Sequence, residues 1–166
     1  MDLYLKFEGI EGPLAEPEKC FQGLGMKMNV KRGVRNASES GKFDYKVKAD
    51  FGEVSIIKYV DSSSAKFPEK MLMAEVIPSV EIIMKADQVE RKIVLGNVRV
   101  TSINSWLEME DKNKTTDDGV LVVESRDEVI KESITLHYEK IEWNMTGEDH
   151  GFAYDLLTDK KTDSAT

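Results

Sequence analysis

The chain is poor in the residues that usually carry chemistry. Its 166 residues include one cysteine, Cys20, and two histidines, His137 and His150. A single thiol closes no internal disulfide and builds no cysteine metal site. Both histidines lie far from Cys20 in sequence and in no nucleophile motif, so Cys20 reads as a small buried hydrophobe. Two imidazoles and one thiol make a thin ligand set for a transition metal, and no cofactor or metal is expected. The phosphate-binding patterns GxxxxGK[ST] and GxGxxG are missing, as are GxSxG and HExxH. No run approaches the roughly 18 apolar residues of a membrane helix, which sets membrane insertion aside. The opening Met1-Asp2-Leu3-Tyr4-Leu5-Lys6 has neither a basic n-region nor an apolar h-region. No cleaved signal peptide is expected, so the chain is made in the cytoplasm and any export uses a route that needs none. Positive charge is also short. Asp and Glu number 31 against 23 Lys and Arg, a net charge of -8, which repels a phosphate backbone and argues against nucleic acid as a partner.

The acidic groups that are present form no recognisable site. Glu108-Met109-Glu110-Asp111 and Asp117-Asp118 lack the spacing of a calcium loop and read as solvated turns. His137, between Leu136 and Tyr138, reads as a partly exposed strand residue. Trp106 and Trp143 read as core or interface aromatics, since no basic patch surrounds them. The sequons at Asn36, Asn113 and Asn144 read as chance matches.

What the chain has is strand pattern. With 40% apolar and 33% charged residues it has a soluble globular composition and the length of one domain. Leu3, Leu5 and Phe7 alternate with polar neighbours, and Gly9 to Pro13 reads as a turn. Cys20 to Arg32 is extended, with a bulge or bend at Gly23 and Gly25. Gly33 to Lys42 reads as a long exposed loop. Phe43 to Ala49 and Glu53 to Val60 are further strands. Asp61-Ser62-Ser63-Ser64 offers N-cap residues for one amphipathic helix, from about Ser64 to Glu75, stopped by Pro78. Pro68 fits only in its first turn. Strands resume at Val80 to Ala86, turn near Asp87 to Val89, and continue through Ile93, Leu95, Val98 and Val100. The change of parity predicts a β-bulge at Gly96-Asn97. Glu110 to Gly119 reads as a polar loop and Val120 to Val123 as a short buried run. Val129 to Trp143 reads as the longest strand, with a second parity change. Gly151 to Leu156 is placed either as a short added strand or as a segment packed on the outer surface, and Lys160 to Thr166 as a loose tail.

These elements predict a mainly β fold: a β-barrel or two-sheet barrel with one amphipathic helix packed outside. Residues alone stop at an acidic β domain with no visible active site, for which binding or assembly is the default.

Four stretches, in order, resemble the tube-forming Hcp family of bacterial type VI secretion. They are Leu3 to Gly12, Lys58 to Ser64, Val94 to Ile103, and Glu132 to Trp143 with its Tyr-x-Lys-Ile-x-Trp pattern. The family's Ser-Pro at the helix start is replaced by Ser64-Ala65, and Lys31 to Phe43 matches in position only. The resemblance implies a barrel domain over 1–144 and a short extension over 145–166. It implies a structural subunit and not an enzyme, assembling as a homo-hexamer whose rings stack into a tube. The implied partners are a contractile sheath, spike and baseplate proteins, and effector proteins carried in the lumen. The implied destination is outside the cell, through the type VI apparatus. The family's ring-stacking loop falls at about Lys31 to Lys42, which singles out Lys31, Arg32, Arg35, Asn36, Ser38 and Ser40. Two alternatives stand beside this reading. A monomeric ligand-binding barrel of another family predicts an apolar internal pocket. An acidic-site hydrolase predicts two perturbed carboxylates in one cleft.

Overall fold

The computed structural model describes residues 2–33, 35–37, 42–44, 49–145 and 151–162, with 35–37 and 42–44 as backbone. The strands are β1 (Asp2–Phe7), β2 (Phe21–Lys27), β3 (Val30–Arg32), β4 (Arg35–Ala37), β5 (Lys42–Asp44), β6 (Ala49–Phe51), β7 (Val54–Tyr59), β8 (Ile77–Ala86), β9 (Val89–Thr115), β10 (Leu121–His137), β11 (Lys140–Met145), β12 (Phe152–Asp155) and β13 (Lys160–Thr162). One helix, α1 (Lys66–Leu72), lies between β7 and β8.

The main sheet runs β10-β7-β2-β1-β8-β9, and β10 also pairs with β9. Six strands therefore close into a ring, the barrel expected from the alternating patterns. Alternation decides what fills it. Leu3, Leu5 and Phe7 of β1, Val54 and Ile56 of β7, Val80 and Ile82 of β8, and Ile134 and Leu136 of β10 are all buried. At about 25 cal/mol per Å² of apolar surface, this interior is the main stabilising term. Gly23 faces Leu3 across β1 and β2, and a Cβ there would sit 2.5 Å from the Leu3 side chain. The register of β2 against β7 shifts between Gly23 and Gly25, which is the expected bulge.

The inner parity of β9 changes between Leu95 and Val98, as the sequence suggests. No residue is inserted, however. Ile77 pairs with Val98 and Ser79 with Gly96 at one constant offset. Asn97 turns the strand over with a φ of +52°, and Pro78, which has no N–H to leave unpaired, falls opposite it.

Other expectations are corrected. The helix is shorter than Ser64 to Glu75, and Pro78 does not stop it. It ends where Ala74 takes a φ of +53°, with the N–H groups of Ala74 and Glu75 returning to the Met71 and Lys70 carbonyls. Pro68 does lie in the first turn. The N-cap position is Ala65, which gives no side-chain cap. Asp61 and Ser64 instead close the turn before the helix: the Ser63 N–H donates to Asp61 Oδ1 at 2.8 Å, and the Asp61 N–H to Ser64 Oγ at 2.9 Å. The segment from Val129 to Trp143 is interrupted at Tyr138-Glu139. Beyond it β11 continues along β9 at the offset β10 ends on, with His137 opposite Arg99 and Lys140 opposite Gly96, while its other edge pairs with β12 where that of β10 pairs with β7. Lys160 to Thr162 is not loose tail but β13, paired to β12.

The two largest corrections concern Glu110 to Gly119 and Val120 to Val123. Through Thr115 the first segment is strand, and the second is exposed. Together they form a two-stranded arm that leaves the barrel.

Candidate assembly surfaces

Two ribbons stand off the barrel. The first continues β2: β3 pairs with β6, and β4 with β5. Of the proposed stacking residues, Lys31 and Arg32 lie on β3 and are exposed, with Lys31 Nζ 3.5 Å from Asp50. Arg35 and Asn36 lie on β4, so the expected loop is partly a strand ladder. Ser38 and Ser40 lie outside the described residues. Phe51 anchors this ribbon, its ring 5.2 Å from Tyr154 and 6.4 Å from Trp143. Trp143 in turn stacks on Phe152 at 4.8 Å, so Trp143 is a packing aromatic.

The second ribbon is the arm, 104–115 of β9 against 121–133 of β10. Its turn spans 116–120, where Gly119 takes a φ of +77° and the Gly119 N–H donates to the Thr116 carbonyl. At its root the Tyr59 hydroxyl donates to Glu110 at 2.8 Å, and Lys131 bridges Glu108 at 3.1 Å and Glu110 at 2.6 Å. Trp106 Nε1 donates to Glu108 at 3.1 Å. The hydrogen bond from Lys131, then that from Tyr59, holds the Glu110 carboxyl below its ordinary range. Trp106, then Lys131, does the same for Glu108. Such a carboxylate adds stability that is complete above its unfolded pKa, near 4.5, and is lost as pH falls through the lower folded value. Arm-root amides should therefore lose hydrogen-exchange protection, corrected for intrinsic rate, as pH drops below about 4.5. Protection that stays level there would argue against the pairing.

At the same level, on the inward face of β7 and β10, is a buried ion cluster, since Lys58 and Glu132 are the neighbouring pair to Tyr59 and Lys131. Lys58 Nζ lies 2.7 Å from Asp61 and 2.8 Å from Glu132, and sits 4.8 Å over the Phe21 ring. Ser64 Oγ donates to Glu132 at 2.7 Å. Each charge has a partner, so the cluster ties β7, β10 and the helix turn together.

For chemistry, no group of three or more His, Cys, Asp or Glu among the described residues is placed to hold a metal. Cys20 is buried, and burial raises its thiol pKa, the opposite of a reactive cysteine. His137 is exposed on its strand. The barrel interior is filled by the side chains named above, and the clefts lie outside it. One, of about 220 Å³, is lined by Asp50, Phe51, His137 and Tyr138.

The Tyr138 hydroxyl is buried with no hydrogen-bond partner among the described residues. Desolvation, then the Asp50 charge, pushes its pKa up to about 12. The folded state thus holds this proton longer than the unfolded one, and stability should decline as pH rises from about 10 to about 12. Tyr138→Phe removes an unsatisfied donor. It should leave stability unchanged or raise it by about 1 kcal/mol in urea denaturation at neutral pH. A loss of that size would mean the hydroxyl is paired.

Sequence reasoning missed the arm. The available signal was Asp118-Gly119, a hairpin dipeptide between two strand-forming runs.

Comparison with known proteins follows the barrel. A family model described as "Type VI secretion system effector, Hcp" matches residues 4–145. A solved structure described as a type six secretion system protein superposes with TM-score 0.67 at 19% identity, over 97% of this chain and 99% of that one. A type VI secretion system effector from Yersinia pestis gives 0.63 at 18%, over 93% and 99%. The secreted protein Hcp3 from Pseudomonas aeruginosa gives 0.63 at 14%, over 93% and 97%. At these identities the likeness is one of fold. No curated protein matches the chain.

Proposed function

We propose a function from one premise: the chain belongs to the Hcp family of type VI secretion proteins, whose family model spans residues 4–145. It is a β-rich tube protein of that system. On our reading it is a structural subunit without catalytic activity, closing into hexameric rings that stack into a tube. The tube is expelled, with effector proteins carried in its lumen, and the sheath, spike and baseplate are its outer partners. Barrel 1–144 forms the ring, and extension 145–166 packs on its surface. Lys31, Arg32, Arg35, Asn36, Ser38 and Ser40 belong to the segment that meets the next ring.

The observation that carries this reading is the family match across the whole barrel. The geometry agrees with it in kind. The interior is packed, so function falls to the surface, and the surface carries two projecting ribbons and open strand edges of the sort that join copies of a chain.

Light scattering of purified protein, followed by negative-stain imaging, tests it. Six-fold mass and rings with a central hole are expected. A monomer at every concentration, at low and high salt, would overturn ring formation by the chain alone.

A further inference from the structure

The arm is amphipathic, and its sequence hides the fact. Directly opposed residues of an antiparallel pair share a face. Ile130 opposes Leu107, and Glu128 opposes Met109. Continued without interruption, that register would send Leu121 and Val123 to the opposite face. The register instead shifts between Val123 and Ser125, so Glu124 is an extra residue. Val123 then opposes Asn113 and Leu121 opposes Thr115. The bulge gathers Leu107, Met109, Leu121, Val123 and Ile130 on one face, every one of them more than 50% exposed or at that value. The other face carries the ion pairs Lys112–Asp127 and Lys131–Glu110. Glu128 and the 2.9 Å Arg126–Asp111 ion pair lie on the same face as these apolar residues. A two-stranded ribbon that exposes this much apolar surface is marginal in water by itself.

Charge indicates what covers it. Between residues 104 and 131 there are eight acidic residues against four basic ones. Between residues 27 and 48 there are seven basic against two acidic, a concentration of positive charge that stands out in a chain of net charge -8. The described part of that basic segment exposes Lys27, Lys31 and Arg32, beside a half-open Val30. Ribbon β3–β6 pairs with no other strand among the described residues, so its edges are open. Within one chain the arm pairs with itself and with β7, not with this ribbon.

We propose that the arm of one copy docks on the β3–β6 ribbon of a second copy. The apolar face covers Val30 and the open edge, and the acids of the arm meet Lys27 and Lys31. This rests on the tube reading and adds to it: the stacking segment is a receptor, and the arm is its ligand.

Charge swaps in the full chain test it, read by sedimentation equilibrium. Asp118→Lys with Glu128→Lys on the arm, and Lys27→Glu with Lys31→Glu on the ribbon, all change exposed side chains. Circular dichroism should show the barrel unchanged. Each pair alone should weaken self-association by about tenfold or more, and the two together should recover most of it. Leu107→Ser with Ile130→Ser should weaken it in either background. Rings that form undiminished in all these variants overturn the arm proposal and leave the tube reading standing. Wild-type protein that stays monomeric throughout overturns docking between copies, leaving the arm to a different partner.

Discussion

Replacing Lys58 by alanine should lower the free energy of unfolding by about 3–5 kcal/mol, the usual result of leaving buried charge unpaired. Lys58 and Glu132 are 1% and 2% exposed, and the bridge between them is 2.8 Å long. Removing the ammonium leaves the Glu132 carboxylate with the Ser64 hydroxyl as its one remaining side-chain partner among the described residues, and takes a cation from over Phe21. The decisive comparison is Lys58→Met with Glu132→Leu. Removing both charges and keeping the volume should restore most of the loss, since a buried pair contributes little beyond a well-packed apolar substitute. Urea denaturation of the two single variants and the double variant closes the cycle. If the double variant is as unstable as the sum of the singles, the two groups are not coupled as the geometry requires.

Phe67→Ala should lose a similar amount, about 3–5 kcal/mol. Phe67 is the buried residue of α1. Its ring meets Phe7 edge-on at 4.9 Å and Phe21 at 5.8 Å, closing a three-ring cluster at the end of the barrel. Truncation leaves a cavity and removes the helix's anchor together. Of the helix's other apolar residues, Met71 is only partly buried against the core and Leu72 is 78% exposed. Hydrogen exchange should show the amides of 66–72 released before the barrel opens, a local effect that a purely global loss would not give. Phe67→Leu, which keeps most of the volume, should lose less than about 1.5 kcal/mol.

Much of the fold was legible because alternation and burial coincide in a barrel. Leu3, Leu5, Phe7, Val80, Ile82, Ile93 and Leu95 are inward where period two places them. The parity change at Gly96-Asn97 was legible for the same reason. What failed was the inference from polarity to loop and from hydrophobicity to burial. Glu108, Glu110 and Lys112 sit on a strand because cross-strand ion pairs, such as Lys131 with Glu110, satisfy them there. Val120 to Val123 is apolar and exposed because it lies beyond the barrel, where the core no longer reaches. The helix boundary failed differently. Ala74 adopts a left-handed φ that its identity does not advertise, so Pro78 looked like the stop. The segment proposed to stack was placed by resemblance alone. Its strand ladder rests on pairings that short polar sequences do not announce.

The ring of strands also sets an order of events during synthesis. β1 needs β8, about eighty residues later, and β7 needs β10, whose pairing residues begin at Lys131. The seam that seals the barrel is therefore among the last parts of the chain to leave the ribosome. At roughly 5–20 residues per second, β1 waits seconds to tens of seconds with an open edge. Hairpins β8–β9 and β9–β10 are local and can form as they emerge. The arm is then in place before the barrel it projects from has closed.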